Sequence, residues 1–246
     1  MSLSGSESET DHRPWPAPSR AWGVRMVWHD LLFMHWPLED AQIRSLIPDG
    51  LEIDHFDGKA WIGVVPFRMS GVRPRVLPPF LSAAFPEINV RTYVRRGNRT
   101  GVWFFSLDAD SRRAVWAARR FFHLPYELAT MSATCQGGRI DFHCQRINGR
   151  AGISLQYEPL GPPRRSRVGS LEHWLTERYC LFSVGRTGEI FRGDIHHAPW
   201  PLQPARAETL NNTMAAPLDI SLPHSNPLLH FAKRLDVVAW SLDRAP

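Results

Sequence analysis

Apolar and polar positions alternate along most of the chain from residue 22 onward, and turn residues interrupt them at short intervals. This pattern predicts a strand-dominated fold. Asp57 and Gly58 indicate a tight turn that joins two strands in a hairpin. The predicted strands are 24–35, 51–54, 60–68, 87–95, 101–107, 128–136, 139–147, 151–158, 178–184, 188–197 and 228–242.

Three segments have apolar residues at helical spacing or a helix-capping residue. Residues 38–47 and 112–122 are predicted to be helical, and a short helix over 171–177 has Ser170 as its N-cap. Residues 1–20 are rich in Ser, Glu and Pro, with almost no aliphatic side chains, and are predicted to be a mobile tail. Because no linker or repeat interrupts the remainder, residues 21–246 are predicted to be one β-rich α+β domain.

The strand 87–95 carries a row of polar side chains on one face. Alternate residues of a strand share a face, so Glu87, Asn89, Arg91 and Tyr93 point the same way. For an isolated strand, the simplest interpretation is that this face contacts water. Glu87 and Arg91 are about 13 Å apart at the usual rise per residue, so they do not pair directly, but they could hold opposite ends of a small polar ligand.

The neighbouring strands favour a different environment for this polar row. Residues 61–67 and 101–107 are apolar on both faces, and such sheets are covered on both sides or rolled into a barrel. A buried polar row needs partners or a wet cavity, because unpaired buried charges are costly. Both the solvated and the cavity-lining interpretations therefore remain open from the sequence.

Composition excludes several classes of protein. The 246 residues include 10 Trp and 13 Phe, and the hydrophobic fraction of 43% excludes a wholly disordered chain. The apolar runs are too short to cross a bilayer, and the N-terminus does not have the pattern of a signal peptide, so we expect a cytoplasmic protein. The formal charge of +5 comes from scattered arginines, whereas a nucleic-acid binder would cluster them. Only two basic residues are lysines, Lys59 and Lys233.

The candidate chemistry does not match common catalytic or metal motifs. The sequence has no G-x-S-x-G, no phosphate-binding loop and no H-E-x-x-H. His196 and His197 are adjacent in a strand-like stretch, so they face opposite sides, and one buried and one exposed histidine are expected rather than a metal site. His123 and Tyr126 flank a proline turn after a helix, which brings two titratable groups together.

Five segments resemble the YqjF-like family of uncharacterised bacterial proteins. They are IRSLIPDGLEID at 43–54, FPEINVRTYV at 85–94, FHLPY at 122–126, LTERYCL at 175–181 and IHHAPWPL at 195–202. The resemblance covers about residues 22–242. It implies the acetoacetate decarboxylase-like superfamily, with a β-barrel or cone around a central pocket and a few short peripheral helices.

The superfamily's named chemistry uses a lysine that forms a Schiff base with a β-keto acid. In the decarboxylase, a lysine pair follows the proline of a short turn after a helix. Here, Tyr126 and Glu127 occupy these two positions, and neither side chain can form an imine. The resemblance also places Glu87 near an active-site glutamate of the decarboxylase, and His29, more loosely, near its arginine. Lysine-based decarboxylation is therefore predicted to be lost.

These observations predict a small-molecule pocket, and two functions remain open. The first is an enzyme, such as a lyase, hydratase or hydrolase, that acts on a small carbonyl or carboxylate metabolite with Tyr126 and Glu87 as catalytic residues. The second is a non-catalytic protein that binds a small organic ligand. The residues predicted to bind the ligand are Arg91, His29, Asn89, Tyr93 and His123.

A third hypothesis is a structural or interaction protein whose polar strand is merely solvated. We expect a small organic acid or carbonyl compound as partner, and no cofactor, metal, nucleic acid or membrane. A homo-oligomer is an expectation from the family resemblance alone.

Overall fold

The computed structural model describes residues 10–245, which form a continuous sheet with two α-helices and four short 3₁₀ turns. The strands are β1 (Val24–Leu38), β2 (Glu52–Ile53), β3 (Ala60–Pro74), β4 (Ala83–Arg96), β5 (Arg99–Ala109), β6 (Tyr126–Gln136), β7 (Arg139–Arg146), β8 (Gly152–Pro159), β9 (Cys180–Val184), β10 (Ile190–His197), β11 (Gln203–Asn212), β12 (Leu228–Ala239) and β13 (Asp243–Arg244). The helices are α1 (Arg112–Phe121) and α2 (Leu171–Thr176), and the 3₁₀ turns are Asp40–Gln42, Arg44–Leu46, Pro79–Leu81 and Ala216–Leu218. Between residues 10 and 245, no helix is long and apolar enough to cross a membrane.

Strand pairing closes the sheet into two rings. Both rings use β12, β1, β3, β4 and β5, which are antiparallel neighbours in that order. One ring is completed by β9 and β10, because β9 pairs with β5 and β10 pairs with β12. The other is completed by β6, β7, β8 and β11. The predicted strand-rich α+β fold is therefore confirmed.

Two strands common to both rings, β3 and β5, have apolar side chains on both faces, as predicted. On one face, residues such as Val64 and Val90 pack in a core that also contains residues of β6, β7 and β8. On the other face, Phe33, Val65 and Trp200 belong to a second core. The polar row of β4 lies on this second face, because its residues have the same parity as Phe85 of that core.

Two local predictions differ from the structure. Residues 38–47 form two 3₁₀ turns instead of an α-helix, since Ile43 between them has φ −125° and its side chain is buried in the core. Asp57 and Gly58 do adopt the positive φ of a tight turn, but the pairing beside this turn is a single bridge between Phe56 and Lys59. β2 pairs with β4 rather than with β3, so the predicted hairpin is wrong. In both places tertiary packing overrides a local preference.

The predicted mobile tail covers residues 1–20, of which 1–9 lie outside the described residues. Over residues 10–20 the structure differs from the prediction. Arg13 is buried and its Nη1 donates to the Ile195 carbonyl at 2.5 Å. Trp15 Nε1 donates to Asp194 Oδ1 at 3.1 Å. Two long side chains thus anchor a segment whose composition gives no core-forming pattern.

Candidate functional site

The polar row of β4 is inside the protein. Glu87, Asn89 and Tyr93 are buried, and Arg91 is half-buried. The solvated interpretation of this face is therefore excluded. The four side chains lie between apolar strands, so each must find its polar partners within the protein or on a bound molecule.

At one end of the row, Glu87 meets Tyr126. Tyr126 Oη donates a hydrogen bond to Glu87 Oε2 at 2.7 Å. The two residues meet because β4 and β6 both pair with β5, which places Ala109 opposite Glu87 and Leu107 opposite Tyr126. Pro125 ends the turn after α1, so Tyr126 is the first residue of β6. The two residues predicted to be catalytic are therefore in direct contact.

Burial controls the protonation of this pair. It raises the pKa of Glu87 to about 8, although the hydrogen bond from Tyr126 lowers this pKa in part. Burial also raises the pKa of Tyr126 well above its usual value. Among residues 10–245, no cationic side chain forms an ion pair with Glu87. Glu87 therefore holds a proton at neutral pH and exchanges it close to pH 8, while Tyr126 stays a hydrogen-bond donor.

At the other end of the row, three polar groups converge over Gly63. Tyr93 Oη is 2.6 Å from His35 Nε2, and Arg91 Nη2 donates to Tyr93 Oη at 3.5 Å. The Arg91 guanidinium lies 5.2 Å from the Phe33 ring centre. A Cβ at Gly63 would stand 3.0 Å from the His35 ring and 3.4 Å from Arg91 Cγ. The glycine therefore leaves the room in which His35 and Arg91 lie.

This second end is electropositive. Burial lowers the pKa of His35 well below 6.5, and the charges of Arg91, His230 and Arg178 lower it further. Arg178 lies 4.8 Å from the Tyr93 ring centre and donates to Asp54 Oδ2 at 2.6 Å. The sequence did not single out His35, Arg178 or His230, because they lie on β1, on the turn after α2 and on β12, and no local spacing connects them.

Four buried polar atoms, two on the row and two on side chains that contact its Tyr93, have no hydrogen-bond partner among the residues described. They are Asn89 Oδ1, Arg91 Nε, His35 Nδ1 and Arg178 Nη2. Buried polar atoms are nearly always paired in folded proteins. These four atoms are able to form hydrogen bonds with the polar groups of another molecule.

The structure does not join two of the predicted ligand-binding residues to this row. His29 Nε2 lies 2.7 Å from Ser70 Oγ, and His29 pairs with Arg234 across the β1–β12 ladder. His123 adopts a positive φ of 51°, and its ring lies 5.2 Å from that of Phe191. Their role in ligand binding stays a prediction that these contacts do not support.

Neither lysine is in the row. Lys59 follows the tight turn at residues 57–58 and is exposed. Lys233 Nζ lies 2.5 Å from Asp30 Oδ1, and 64% of the Lys233 side chain is exposed. Together with Tyr126 and Glu127 after Pro125, this placement leaves no lysine beside Glu87 among residues 10–245.

Two surface clefts lie away from the row. One, of about 210 Å³, is lined by His196, His197, Pro199, Arg234 and Asp236, among others, and a larger one, of about 550 Å³, is lined by Asp49, Arg96, Glu189 and Arg244, among others. The residues that line these clefts do not include Glu87, Arg91 or Tyr126. The Trp200 ring lies 5.3 Å from the ring of His197, which lines the smaller cleft, and 4.9 Å from the ring of Phe33, which the Arg91 guanidinium contacts.

His196 and His197 are both buried, so the expectation of one buried and one exposed histidine is wrong. His196 stacks at 5.7 Å on the ring of His12, in the N-terminal segment, and His197 stacks at 4.7 Å on Tyr179. The ordered N-terminal segment covers the side that the sequence left open. Within the described part of the chain, no group of three or more His, Cys, Asp or Glu side chains could hold a metal ion.

Solved structures with this fold define the class of protein. Acetoacetate decarboxylase from Legionella pneumophila matches with a TM-score of 0.66 and 11% identity, over 98% of this chain and 94% of that one. The enduracididine biosynthesis enzyme MppR, complexed with pyruvate, matches with a TM-score of 0.64 and 8% identity, over 92% and 91%. The chain therefore has the acetoacetate decarboxylase-like fold.

Sequence comparison narrows this class to a family. The family model DUF2071, an uncharacterised conserved protein, matches residues 25–236. The uncharacterised protein YqjF of Bacillus subtilis (strain 168) is 45% identical over 227 residues, which are 92% of this chain and 93% of YqjF. The chain belongs to the DUF2071 family, which confirms the resemblance seen in its motifs.

Proposed function

We propose that this protein is an enzyme that transfers protons to and from a small organic acid or carbonyl compound, without a Schiff base. The observation that carries the proposal is the buried hydrogen bond between Tyr126 and Glu87, whose pKa of about 8 is suited to proton exchange. A general acid or base works best when its pKa is close to the working pH.

Each group has a distinct role in this proposal. Ionised Glu87 accepts a proton from the substrate. Protonated Glu87 can then donate to Tyr126 Oη, which releases the single Tyr126 proton for a hydrogen bond to the substrate oxygen on which negative charge develops. Arg91 binds a carboxylate, because a guanidinium offers two parallel donors to it. Lyase, hydratase and hydrolase reactions all use a proton transfer of this kind.

The structural relatives support the substrate class, and the lysine positions support the absence of an imine. MppR is described as complexed with pyruvate, a keto acid. Tyr126 and Glu127 follow Pro125, and the two lysines of the chain are exposed Lys59 and Lys233, which is paired with Asp30. Because the row is buried, the substrate must enter by displacing side chains that cover it. Trp200 is a candidate, because its ring contacts both Phe33 and His197, which lines the smaller cleft.

The proposal is tested by turnover of a panel of keto acids and lactones. Glu87→Gln and Tyr126→Phe should each lower kcat/KM by about 10²- to 10⁴-fold, the usual range for a lost acid–base group. The kcat/KM of the wild type should rise with pH through about 8, as Glu87 loses its proton. Tyr157→Phe is a matched control, because Tyr157 is also buried but donates to the Asp30 carbonyl instead. Wild-type turnover that both site variants retain would contradict the proposal.

A second candidate function is ligand binding without catalysis. It is favoured by the unpartnered Arg91, His35 and Arg178 nitrogens, which can bind an anion without help from Glu87. Binding of a keto acid that depends on Arg91, with no turnover across the panel, would select this function over the enzyme.

A further inference from the structure

We infer that the ligand of this site is an elongated acid, with a carboxylate near Arg91, a carbonyl near Glu87 and a flat apolar spacer between them. This inference rests on the proposed function, because it takes Glu87 and Tyr126 as the reacting end. It goes further by stating the shape and charge of the molecule that fits.

The length follows from the geometry of β4. Residues 87–92 pair with β3 without a register shift, from Glu87 opposite Phe67 to Thr92 opposite Ile62. The strand is therefore extended here, and four residues separate Glu87 from Arg91 by about 13 Å. The Arg91 guanidinium contacts Tyr93, which lies still farther from Glu87 along the strand. The same guanidinium also lies 5.2 Å from the Phe33 ring centre, so about 13 Å is the separation of the two backbone positions.

The charge of the ligand follows from the Arg91 end. No carboxylate within residues 10–245 forms an ion pair with Arg91, whereas Arg178 has Asp54 as its partner. The Arg91 Nε, Arg178 Nη2 and His35 Nδ1 atoms are buried and lack partners in this same range. A carboxylate supplies the negative charge and the two acceptor oxygens that such donors require.

The spacer follows from the residues between the two ends. In the β3–β4–β5 ladder, Asn89 lies between Val65 and Leu107, and both are in the apolar core on this face. Phe33 and Trp200 belong to the same core, with ring centres 4.9 Å apart at an angle of 78°. Aromatic side chains favour edge or offset contacts with another ring, so an aromatic spacer fits this lining.

The site therefore excludes acetoacetate as a bridging ligand. In acetoacetate a single methylene separates the carboxylate from the ketone, so the molecule cannot contact Arg91 and Glu87 together. A longer acid can contact both, and Asn89 Oδ1 can accept a hydrogen bond from a donor on its spacer.

Three probes test the inference by titration calorimetry: acetoacetate, 3-(4-acetylphenyl)propanoate and the neutral amide of the latter. The aromatic acid should bind the wild type at least about 10-fold more tightly than either other probe, as expected for charge-assisted hydrogen bonds. Arg91→Met should abolish this advantage over the amide, and Arg91→Lys should restore part of it. Arg95→Met is the matched control, because Arg95 is exposed on the same strand and pairs with Glu52.

Three results would overturn the inference. They are equal binding of acetoacetate and the aromatic acid, no binding of any probe, and an affinity for the aromatic acid that is unchanged in a folded Arg91→Met protein. Deuterium exchange at the acetyl methyl group, followed by NMR in D₂O, separates this result from the proposed function. Arg91-dependent binding without exchange leaves the ligand class standing and contradicts the enzyme. Exchange that requires Glu87 but is unchanged in Arg91→Met, and that is equally fast with acetoacetate, supports the enzyme and contradicts the ligand class.

Discussion

Two buried carboxylates show how differently this fold treats a negative charge. Asp30 on β1 and Glu87 on β4 are both shielded from solvent, with exposures of 0% and 1%. Burial alone would raise the pKa of Asp30, but hydrogen bonds from Arg68 and Lys233 lower it below its usual value. Glu87 has only the Tyr126 hydroxyl, and its pKa rises to about 8. The available cations, rather than the depth of burial, decide which carboxylate keeps its proton.

The two carboxylates also differ in whether a lysine lies beside them. Lysine chemistry of the Schiff-base type needs a neutral amine beside the substrate. Here Lys233 forms an ion pair with Asp30 and is largely exposed, while Glu87 has no lysine beside it. The chain thus uses one of its two lysines to neutralise a structural acid, and it leaves the acid of the candidate site able to exchange a proton.

Removal of both cations around Asp30 should have the largest effect on stability. The Arg68→Met/Lys233→Met double variant leaves Asp30 buried without a counter-charge, which should cost about 3–5 kcal/mol in the free energy of unfolding. Chemical denaturation measures this loss. Arg25→Met/Arg234→Met is the matched control, since it removes two charges from the half-buried Asp236 and should cost far less. Equal losses in the two double variants would show that Asp30 does not need its cations.

The pH dependence of the free energy of unfolding should show that the pKa of Glu87 is raised, whereas that of Asp30 is lowered. Its folded pKa of about 8 lies above the unfolded value of 4.5, so its stabilising contribution is complete below pH 4.5 and is lost as pH rises through about 8. Relative to Glu87→Gln, the wild type should lose up to about 1.4 kcal/mol per pH unit in that window.

Denaturant unfolding of the wild type and Glu87→Gln at several pH values measures this difference. The buried histidines titrate in both proteins, so their contribution cancels. Parallel profiles between pH 5 and 8 would contradict a raised pKa for Glu87.

Because the folded pKa of Asp30 is lowered instead, its stabilising contribution should be present above its unfolded pKa and lost as pH falls through the folded value.

Lys233 alone should have the smallest effect. Lys233→Met leaves Arg68 paired with Asp30, and the exposed amine contributes less than about 1 kcal/mol to the free energy of unfolding.

Borohydride reduction in the presence of acetoacetate should leave no covalent adduct in the mass spectrum of the wild type. An adduct that Lys233→Met removes would restore lysine chemistry to this protein and overturn the comparison.

Local sequence predicted much of the fold because its signals are local. The hairpin of β4 and β5, the meander of β6, β7 and β8, and helix α1 all appear close to the predicted residues. Strand β11 was missed, since its side chains are mostly exposed and no apolar alternation marks it. The N-terminal segment was missed because two side chains, Arg13 and Trp15, anchor it through distant partners.

The candidate site likewise contains residues that local sequence predicted and residues that it did not. The alternation along β4 placed Glu87, Asn89, Arg91 and Tyr93 on one face, because the two-residue period of a strand is a property of the backbone. The family motif further indicated Tyr126. His35 could not be found, since it reaches Tyr93 from a strand 58 positions away in sequence.

The sequence by itself therefore determined which side chains share a face, where most strands lie, and that Tyr126 and Glu127 rather than lysines directly follow Pro125. Only the tertiary structure decided that this face is buried, that Tyr126 meets Glu87, and that Lys233 meets Asp30. The physical reason is the distance along the chain over which each effect acts. Backbone periodicity acts over a few residues, whereas the protonation of Glu87 depends on which charges the ring of strands brings together and which it keeps apart.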